Sequence, residues 1–310
     1  YESLAGQINA TLKTPDRERL LLNGYANSLG RLEANAVYSA PVGPRWATTL
    51  MAHGSGLGTV GDVNADGFAD TPLYGQASAL SRWAYAGPGG LRVQLGGMAM
   101  RERRLGGQAS WLRPEGGAPA QGYGIDIHME RLAFFAKTGY VWPARPYQSV
   151  GLQSGWTDHR QRGSYGLRRH DAREQRGTLN AIYQSIIGNT NHTYRLGASL
   201  VWVNTAERLD SIPLHRNERV PGVFAEYEFR HLEDFTLLIG LRADHHNLFG
   251  WQAAPRVHAR LALGPATTLR MSAGSGWRLA NPVADNPSLP ASSRTLVLPT
   301  GGLLALAPER

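Results

Sequence analysis

Residues 62–67, Asp-Val-Asn-Ala-Asp-Gly, have the side-chain spacing that places oxygen ligands around Ca²⁺. Gly67 stands where such loops turn sharply, but the twelfth position of the loop, where a glutamate normally completes the site, is Leu73. The sequence therefore predicts either a weak calcium site or a polar loop without a metal. The candidate ligands are Asp62, Asn64, Asp66 and Asp70.

A second candidate for ligand chemistry is the run Asp244-His245-His246, with His215 and His258 elsewhere in the chain. Imidazole nitrogens are common ligands of metal ions and of haem iron. Adjacent side chains of a β-strand point to opposite faces, so His245 and His246 cannot both bind one ion without a distortion. We expect these residues to be polar groups at an interface.

Motifs for catalysis are missing from the sequence. It contains no G-x-S-x-G nucleophile elbow and no H-E-x-x-H zinc motif. The glycine-rich stretches at 54–61 and 274–276 do not stand between a predicted strand and a predicted helix, as phosphate-binding loops do. We therefore predict that the chain is not an enzyme.

The composition of the 310 residues narrows the class of protein further. Cysteine is absent, which excludes disulfides and thiolate metal sites, and no apolar run reaches the roughly 18 residues that a membrane helix needs. The net charge of +8 comes almost wholly from arginine, because Lys13 and Lys137 are the only lysines. Nucleic-acid binders usually concentrate their charge on one face. Here the arginines are scattered along strand patterns, so we expect no nucleic-acid partner.

Alternation of apolar and polar residues recurs from about residue 17 to 278 and predicts an all-β, antiparallel chain. Residues 122–142 form one long predicted strand, with a phase slip at Glu130-Arg131 that indicates a bulge. Long polar loops are predicted to alternate with tight turns, which is typical of an up-and-down transmembrane β-barrel. A soluble β-protein is the alternative. The predicted long loops include 161–175, 205–220 and 248–254, and the tight turns include 188–191, 231–234 and 264–266.

The two faces of these predicted strands differ in charge. A lysine or arginine that faces lipid near the bilayer midplane costs about 2–4 kcal/mol, so the charged face should line the interior of the barrel. Aromatic residues near predicted strand ends would form the girdles at the membrane surfaces. The residues expected to point inward are Glu226, Glu228, Arg230, Arg242, Asp244, Arg256, His258, Arg260 and Arg270.

Four stretches carry a resemblance to a known family. They are YESLAGQINATLKTP (1–15), the strand–turn–strand pattern at 177–202, the paired strands at 218–263, and 267–287 with its G-x-G-aromatic-R-x-x-N run. They resemble the TonB-dependent outer-membrane receptors of Gram-negative bacteria, in particular the Bacteroidetes-type relatives of siderophore and colicin receptors. On this resemblance, residues 1–15 correspond to the end of a plug domain and residues 16–310 to part of the receptor barrel.

The resemblance implies an active importer in the outer membrane, with a plug inside a barrel of roughly 22 strands. The TonB–ExbB–ExbD system would supply energy, outer-membrane lipids would surround the barrel, and the ligand would be a ferric siderophore, haem, cobalamin or a similar small molecule. The inward charges are then expected to contact the plug or, alternatively, to attract an anionic ligand. They are Arg242, Arg256, His258, Arg260, Arg270, Glu226 and Glu228.

The sequence departs from the family pattern at both ends. About 13 of the roughly 22 strands are readable, and neither a TonB box nor a terminal aromatic strand is evident. The chain starts at Tyr1 without a signal peptide. The readable strands could not close a receptor barrel and would leave two edges unpaired in lipid, so we predict that the chain is a fragment of a transporter. Two other classes remain open: a passive porin or adhesin barrel, which would lack the plug-like residues 1–15, and an outer-membrane barrel hydrolase, which would need a Ser–His pair at the rim.

Overall fold

The described chain forms one antiparallel sheet in which each strand pairs with its neighbours in sequence. The structure is a computed structural model and describes residues 19–113, 122–232, 234–281, 283–286, 288–292, 294 and 308–309. The 13 strands confirm the predicted up-and-down all-β meander, and β1 and β13 are its edges. The strands are β1 Leu20–Ala26, β2 Arg31–Pro41, β3 Trp46–Leu57, β4 Leu73–Ala86, β5 Leu91–Gly107, β6 Gly124–Trp142, β7 Arg145–Tyr165, β8 Arg168–Ile187, β9 Asn189–Leu209, β10 Ile212–His231, β11 Phe235–His246, β12 Gly250–Gly264 and β13 Thr267–Gly274.

Helical structure is confined to short connections. Two four-residue helices are described, α1 Ala109–Leu112 and α2 Ser288–Ala291, together with a 3₁₀ turn at Pro88–Gly90. Among the described residues, no helix has the length and the apolar character that crossing a bilayer requires.

Three predicted long loops are wrong, because the strands continue through them. Residues 161–175 belong mostly to β7 and β8, which are joined by Gly166 and Leu167, and residues 205–220 belong mostly to β9 and β10, which are joined at positions 210 and 211. Residues 248–254 likewise run into β12, which begins at Gly250. The extensions of β7–β10 carry charged and polar residues on both faces, as a loop does, although their backbone stays paired. The long connections that remain, 58–72 and 108–123, emerge at the same end of the sheet.

The predicted bulge at Glu130-Arg131 is also wrong. β6 pairs with β7 without interruption from Ile125 to Val141, and the register shifts only between Val141 and Trp142. The face of β6 that carries the exposed Leu132 and Phe134 also carries Glu130. The outer face of β6 thus changes from apolar to charged along a regular strand. In the sequence, this change has the same pattern as a shift of the alternation by one residue.

The two faces of the sheet have different chemistry. We call the face on which residues 275–281 lie the inner face, and the opposite one the outer face. Side chains of the outer face stay in phase across the strands, since Tyr227 pairs with Ile239, which pairs with Val257. The middle of the outer face is an exposed apolar band, which includes Leu95, Leu132, Phe134, Leu152, Leu196, Leu200, Val223, Ile239, Leu241 and Leu261.

Candidate functional site on the inner face

The segment that follows β13 turns back over the inner face. β13 ends at Gly274, and residues 275–281, which we call the inner-face segment, cross from this edge towards β9. Trp277 is 2% exposed and Leu279 is 6% exposed, and both pack with Val201, Val203 and Val220. A Trp and a Leu therefore cover apolar side chains of β9 and β10 where the sheet approaches its loop end.

Outside this apolar contact, the side chain of Arg278 anchors the segment to other parts of the chain. Its guanidinium lies 3.3 Å from an oxygen of Asp285 and 3.2 Å from an oxygen of Glu309, and residues 278 and 309 form an isolated β-bridge. The charges of Asp285 and Glu309 raise the pKa of Arg278 above its ordinary value. The two carboxylates therefore favour the charged form of the arginine.

Beneath the segment, Glu218 of β10 lies between two basic side chains. Arg216 Nε is 2.5 Å from Glu218 Oε1, and His246 Nε2 is 3.4 Å from Glu218 Oε2. The side chains of Glu218 and His246 are 2% and 0% exposed. Such a group of buried ionisable residues is stable only when each charge keeps its partners.

A second buried pair lies beside the first and binds the end of the segment. His170 Nε2 of β8 is 3.3 Å from Glu207 Oε2 of β9, and Asn281 Nδ2 donates to Glu207 Oε1 at 2.8 Å. Arg216 Nη1 donates to the carbonyl oxygen of Ala280 at 3.1 Å. The end of the segment is therefore held by hydrogen bonds to side chains of two neighbouring strands.

Asp244 of β11 is the third buried carboxylate under the segment. Arg242 binds both of its oxygens, at 2.7 and 2.8 Å, and the indole Nε1 of Trp277 donates to Oδ2 at 3.4 Å. Arg242 also donates to Ser199 Oγ at 2.7 Å. Gly222 makes room for this group, because a Cβ at that position would overlap Asp244 Oδ1.

The charged residues predicted to point inward share the inner face. Glu226 accepts from Arg195 Nη1 at 2.5 Å and pairs with Arg256, and Glu228 pairs with Arg195 at 3.3 Å and with Arg230 at 2.5 Å. The same face carries Arg242, His258, Arg260 and Arg270, as the registers of β11–β13 require. Their contact with a plug stays a prediction, because residues 1–15 lie outside the described residues.

Residues 244–246, predicted to be polar groups at an interface, are divided between the two faces of the sheet, and only His245 is exposed. Asp244 and His246 are fully buried on the inner face, whereas His245 lies on the outer face against Trp251 with a ring separation of 5.1 Å. His215 lies on the outer side of β10. The described residues contain no cluster of three or more His, Asp or Glu side chains able to hold a metal.

The four residues of the predicted calcium site share the 58–72 loop, where backbone amides already use several of their oxygens. Asp62 accepts from the amides of Asp66 and Gly67 at 3.1 and 3.0 Å, and Asp70 accepts from the amide of residue 63 at 2.8 Å. The Nδ2 of Asn64 donates to Asp66 at 2.9 Å. These bonds are typical of a polar turn, and Ca²⁺ binding stays a prediction.

Sequence reasoning missed the residues that form the most buried part of the site. Arg216 and Glu218 were assigned to a loop, although they have the same two-residue phase as Glu226 and Glu228 further along β10. Extending that phase towards residue 212 would have placed Arg216 and Glu218 on the inner face. Arg195 was also missed, and its pairing with Gln184 and Glu226 follows from registers between three strands.

Comparison with known proteins agrees with this geometry. Residues 28–310 match the family model described as "TonB dependent receptor-like, beta-barrel". The chain belongs to this family. A search of curated proteins gave no match to the receptor chain.

Solved structures with the same fold as this TonB-dependent receptor-like chain include three receptors. A ferric enterobactin receptor (PfeA) mutant from Pseudomonas aeruginosa has a TM-score of 0.66 and 12% identity, over 84% of this chain and 44% of that one. The siderophore receptor PirA from Acinetobacter baumannii has a TM-score of 0.65 and 11% identity, over 84% and 42%. The alcaligin outer-membrane receptor FauA from Bordetella pertussis has a TM-score of 0.66 and 13% identity, over 87% and 45%.

The chain spans less than half of the length of each of the three solved structures. At 10–13% identity the likeness is one of fold.

Proposed function

We propose that the chain is part of an outer-membrane TonB-dependent transporter that imports a small-molecule metal complex, most specifically a ferric siderophore. The observation that carries the proposal is the family match over residues 28–310. The structure agrees with it, because the inner face of the sheet is charged and the middle of the outer face is apolar. The similar structures are receptors for ferric enterobactin, for siderophores and for alcaligin, which supports this ligand class.

The outer face supports a place in the outer membrane of a Gram-negative bacterium. Val223, Leu241 and Ile239 are 59%, 57% and 48% exposed, and they belong to a band that continues across many strands. A continuous apolar surface of this kind is rare on a protein that is surrounded by water. Along β9 the band runs over about nine residues, from Tyr194 to Trp202, which matches the length of a tilted strand that crosses the hydrocarbon core.

The inner face supports coupling to a plug and, through it, to the TonB–ExbB–ExbD system. Arg195, Glu226 and Arg256 form an ion-paired row at mid-height of the sheet. A row of charged side chains can bind the polar surface of another protein domain through ion pairs and hydrogen bonds. Such contacts can break and reform when the domain moves. We propose that this row contacts the plug and that the plug receives the energy for import.

Deletion of the gene in the source organism tests the proposed transport. Under iron limitation we expect loss of uptake of one radiolabelled ligand from a panel of ferric siderophores, haem and cobalamin, with uptake restored by the full gene. A proton uncoupler should abolish the restored uptake. Uptake that persists with the uncoupler would instead identify a passive porin, and unchanged uptake of every ligand would contradict the proposal.

The Ala198→Arg substitution tests the lipid-facing position of the outer face. Ala198 is exposed near the middle of the apolar band of β9, where an arginine is expected to lower the free energy of unfolding by about 2–4 kcal/mol. Urea unfolding of the protein in lipid vesicles measures the change. Asn204→Arg is the control on the same strand and face, beyond the band, and it should change stability by less than about 1 kcal/mol. Equal losses for the two variants would contradict a lipid-facing band.

A further inference from the structure

The Gly-x-Gly-aromatic-Arg-x-x-Asn run of the sequence spans the end of β13 and the inner-face segment, and its side chains alternate in direction. Trp277 and Leu279 pack into the sheet and are buried, whereas the side chain of Arg278 between them is 36% exposed. A two-residue period of this kind is that of an extended strand. The segment therefore has one side covered by the sheet and one side open.

Three neighbouring strands hold the covered side of the segment. The indole of Trp277 donates to a carboxylate of β11, an arginine of β10 donates to the carbonyl oxygen of Ala280, and the amide of Asn281 donates to a carboxylate of β9. These anchors follow one another along the segment and lie on different strands. Loss of one hydrogen bond thus leaves the segment attached at the other two.

The open side of the segment is joined to a later part of the chain. The backbone amide of Arg278 donates to the carbonyl oxygen of Glu309 at 3.0 Å, and the amide of Glu309 donates back to residue 278 at 2.8 Å. The guanidinium of Arg278 adds ion pairs to Glu309 and Asp285. Two positions that are 31 residues apart are thus fixed to each other by backbone and side-chain bonds.

The residues that follow the segment are fixed as well. The side-chain oxygen of Asn281 accepts from the amides of Val283 and Ala284, both at 3.2 Å. Helix α2 lies against β8, and the hydroxyl of Tyr123 donates to the carbonyl oxygen of Ala291 at 3.2 Å. The chain is therefore attached to the sheet from the β13 edge as far as β8. Loops that open and close are instead drawn from the parts of a protein with few buried contacts.

We propose that the inner-face segment is a fixed wall of the import passage, and that it stays docked on β9–β11 while the ligand binds and is carried past it. The proposal rests on the proposed transport function. The fixed segment narrows the opening at the loop end and presents Arg278, with its two carboxylates, on the open side. The ligand then passes beside the segment, and the movement that import requires occurs elsewhere in the protein.

A disulfide between the segment and the sheet tests the proposal, because the 310 residues contain no cysteine of their own. Leu279→Cys is combined with Val201→Cys or Val203→Cys, since the three side chains belong to one buried cluster. The full gene with these changes replaces the native copy in the source organism. Disulfides form in the oxidising periplasm, and mass spectrometry identifies the pair that is joined.

The ligand for this test is the complex that the wild type imports from a panel of radiolabelled ferric siderophores, haem and cobalamin. We expect the disulfide-linked protein to bind and import it within about twofold of the single-cysteine variants. A segment that opens as a lid would give about tenfold weaker binding to cells treated with an uncoupler, or retained binding with about tenfold slower uptake. Either loss would overturn the proposal.

Trp277→Ala supplies the complementary test, because it removes the buried ring that holds the segment on the sheet. Release of a fixed wall is expected to weaken ligand binding about fivefold, since the opening is no longer preorganised. Trp251→Ala on the outer face is the control and should bind as the wild type does. Heat-dependent mobility on gels shows whether each variant is folded.

Unchanged binding by folded Trp277→Ala would show that the segment does not border the passage, against the proposal. If the wild type imports no ligand of the panel, the proposed transport function itself is wrong. That outcome differs from import that is present in the single-cysteine variants and abolished by the disulfide, which would contradict the fixed wall alone.

Discussion

The Glu218→Ala variant is expected to lose about 3–5 kcal/mol of unfolding free energy, because Arg216 and His246 would remain buried without their carboxylate. The loss far exceeds the net strength of one ion pair, since it includes the cost of burying an uncompensated arginine. Urea unfolding of the protein in detergent micelles, followed by tryptophan fluorescence, measures it.

The control for this variant is Glu130→Ala on the outer face. Glu130 lies 3.7 Å from Arg101, and the two side chains are 56% and 79% exposed, so water compensates for the loss of the pair. We expect a change of less than about 1 kcal/mol. If Glu218→Ala were as mild as Glu130→Ala, the buried group beneath the inner-face segment would not be closed to water.

The Trp277→Ala variant is expected to release the inner-face segment from the sheet. Removal of the indole takes a side chain that is 2% exposed away from Val201, Val203 and Val220, at a cost of about 3–5 kcal/mol. Hydrogen exchange should then become faster in residues 275–281 and in the part of β10 that they cover, while exchange in β5 and β6 stays unchanged.

Two further variants separate the contributions of Trp277. Trp277→Phe keeps most of the apolar contact but loses the 3.4 Å hydrogen bond to Asp244, so it should cost only about 1 kcal/mol. Trp251→Ala removes an indole that is 70% exposed on the outer face and should leave exchange in residues 275–281 unchanged. Faster exchange of the segment in Trp251→Ala would mean that the packing under Trp277 does not control its release.

The sequence was sufficient to predict the middle of the sheet. In the paired strands β10 and β11, apolar residues such as Val223 and Ile239 alternate with charged ones such as Glu226 and Arg242, and this two-residue period defines both the strand and its faces. The turn between them was predicted at the correct place, because a short polar run there separates two long alternating runs.

The loop end of the sheet could not be predicted in the same way. Beyond the apolar band, charged and polar residues occur on both faces of β7–β10, so the contrast that reveals a strand weakens while the hydrogen bonds between strands continue. The buried site depends on contacts between distant residues: Asn281 binds Glu207, 74 positions away, and Trp277 binds Asp244, 33 positions away. A periodicity along one strand contains no information about such pairs.

The strands differ greatly in length, from 7 residues in β1 and 8 in β13 to 21 in β7 and β9. The rim of the sheet is therefore uneven: it is tall over β6–β10 and low towards both edges. A large molecule that approaches from the loop end would meet a continuous hydrogen-bonded wall over the long strands. Access to the inner face therefore depends on direction, and it is widest over the short strands at the two edges.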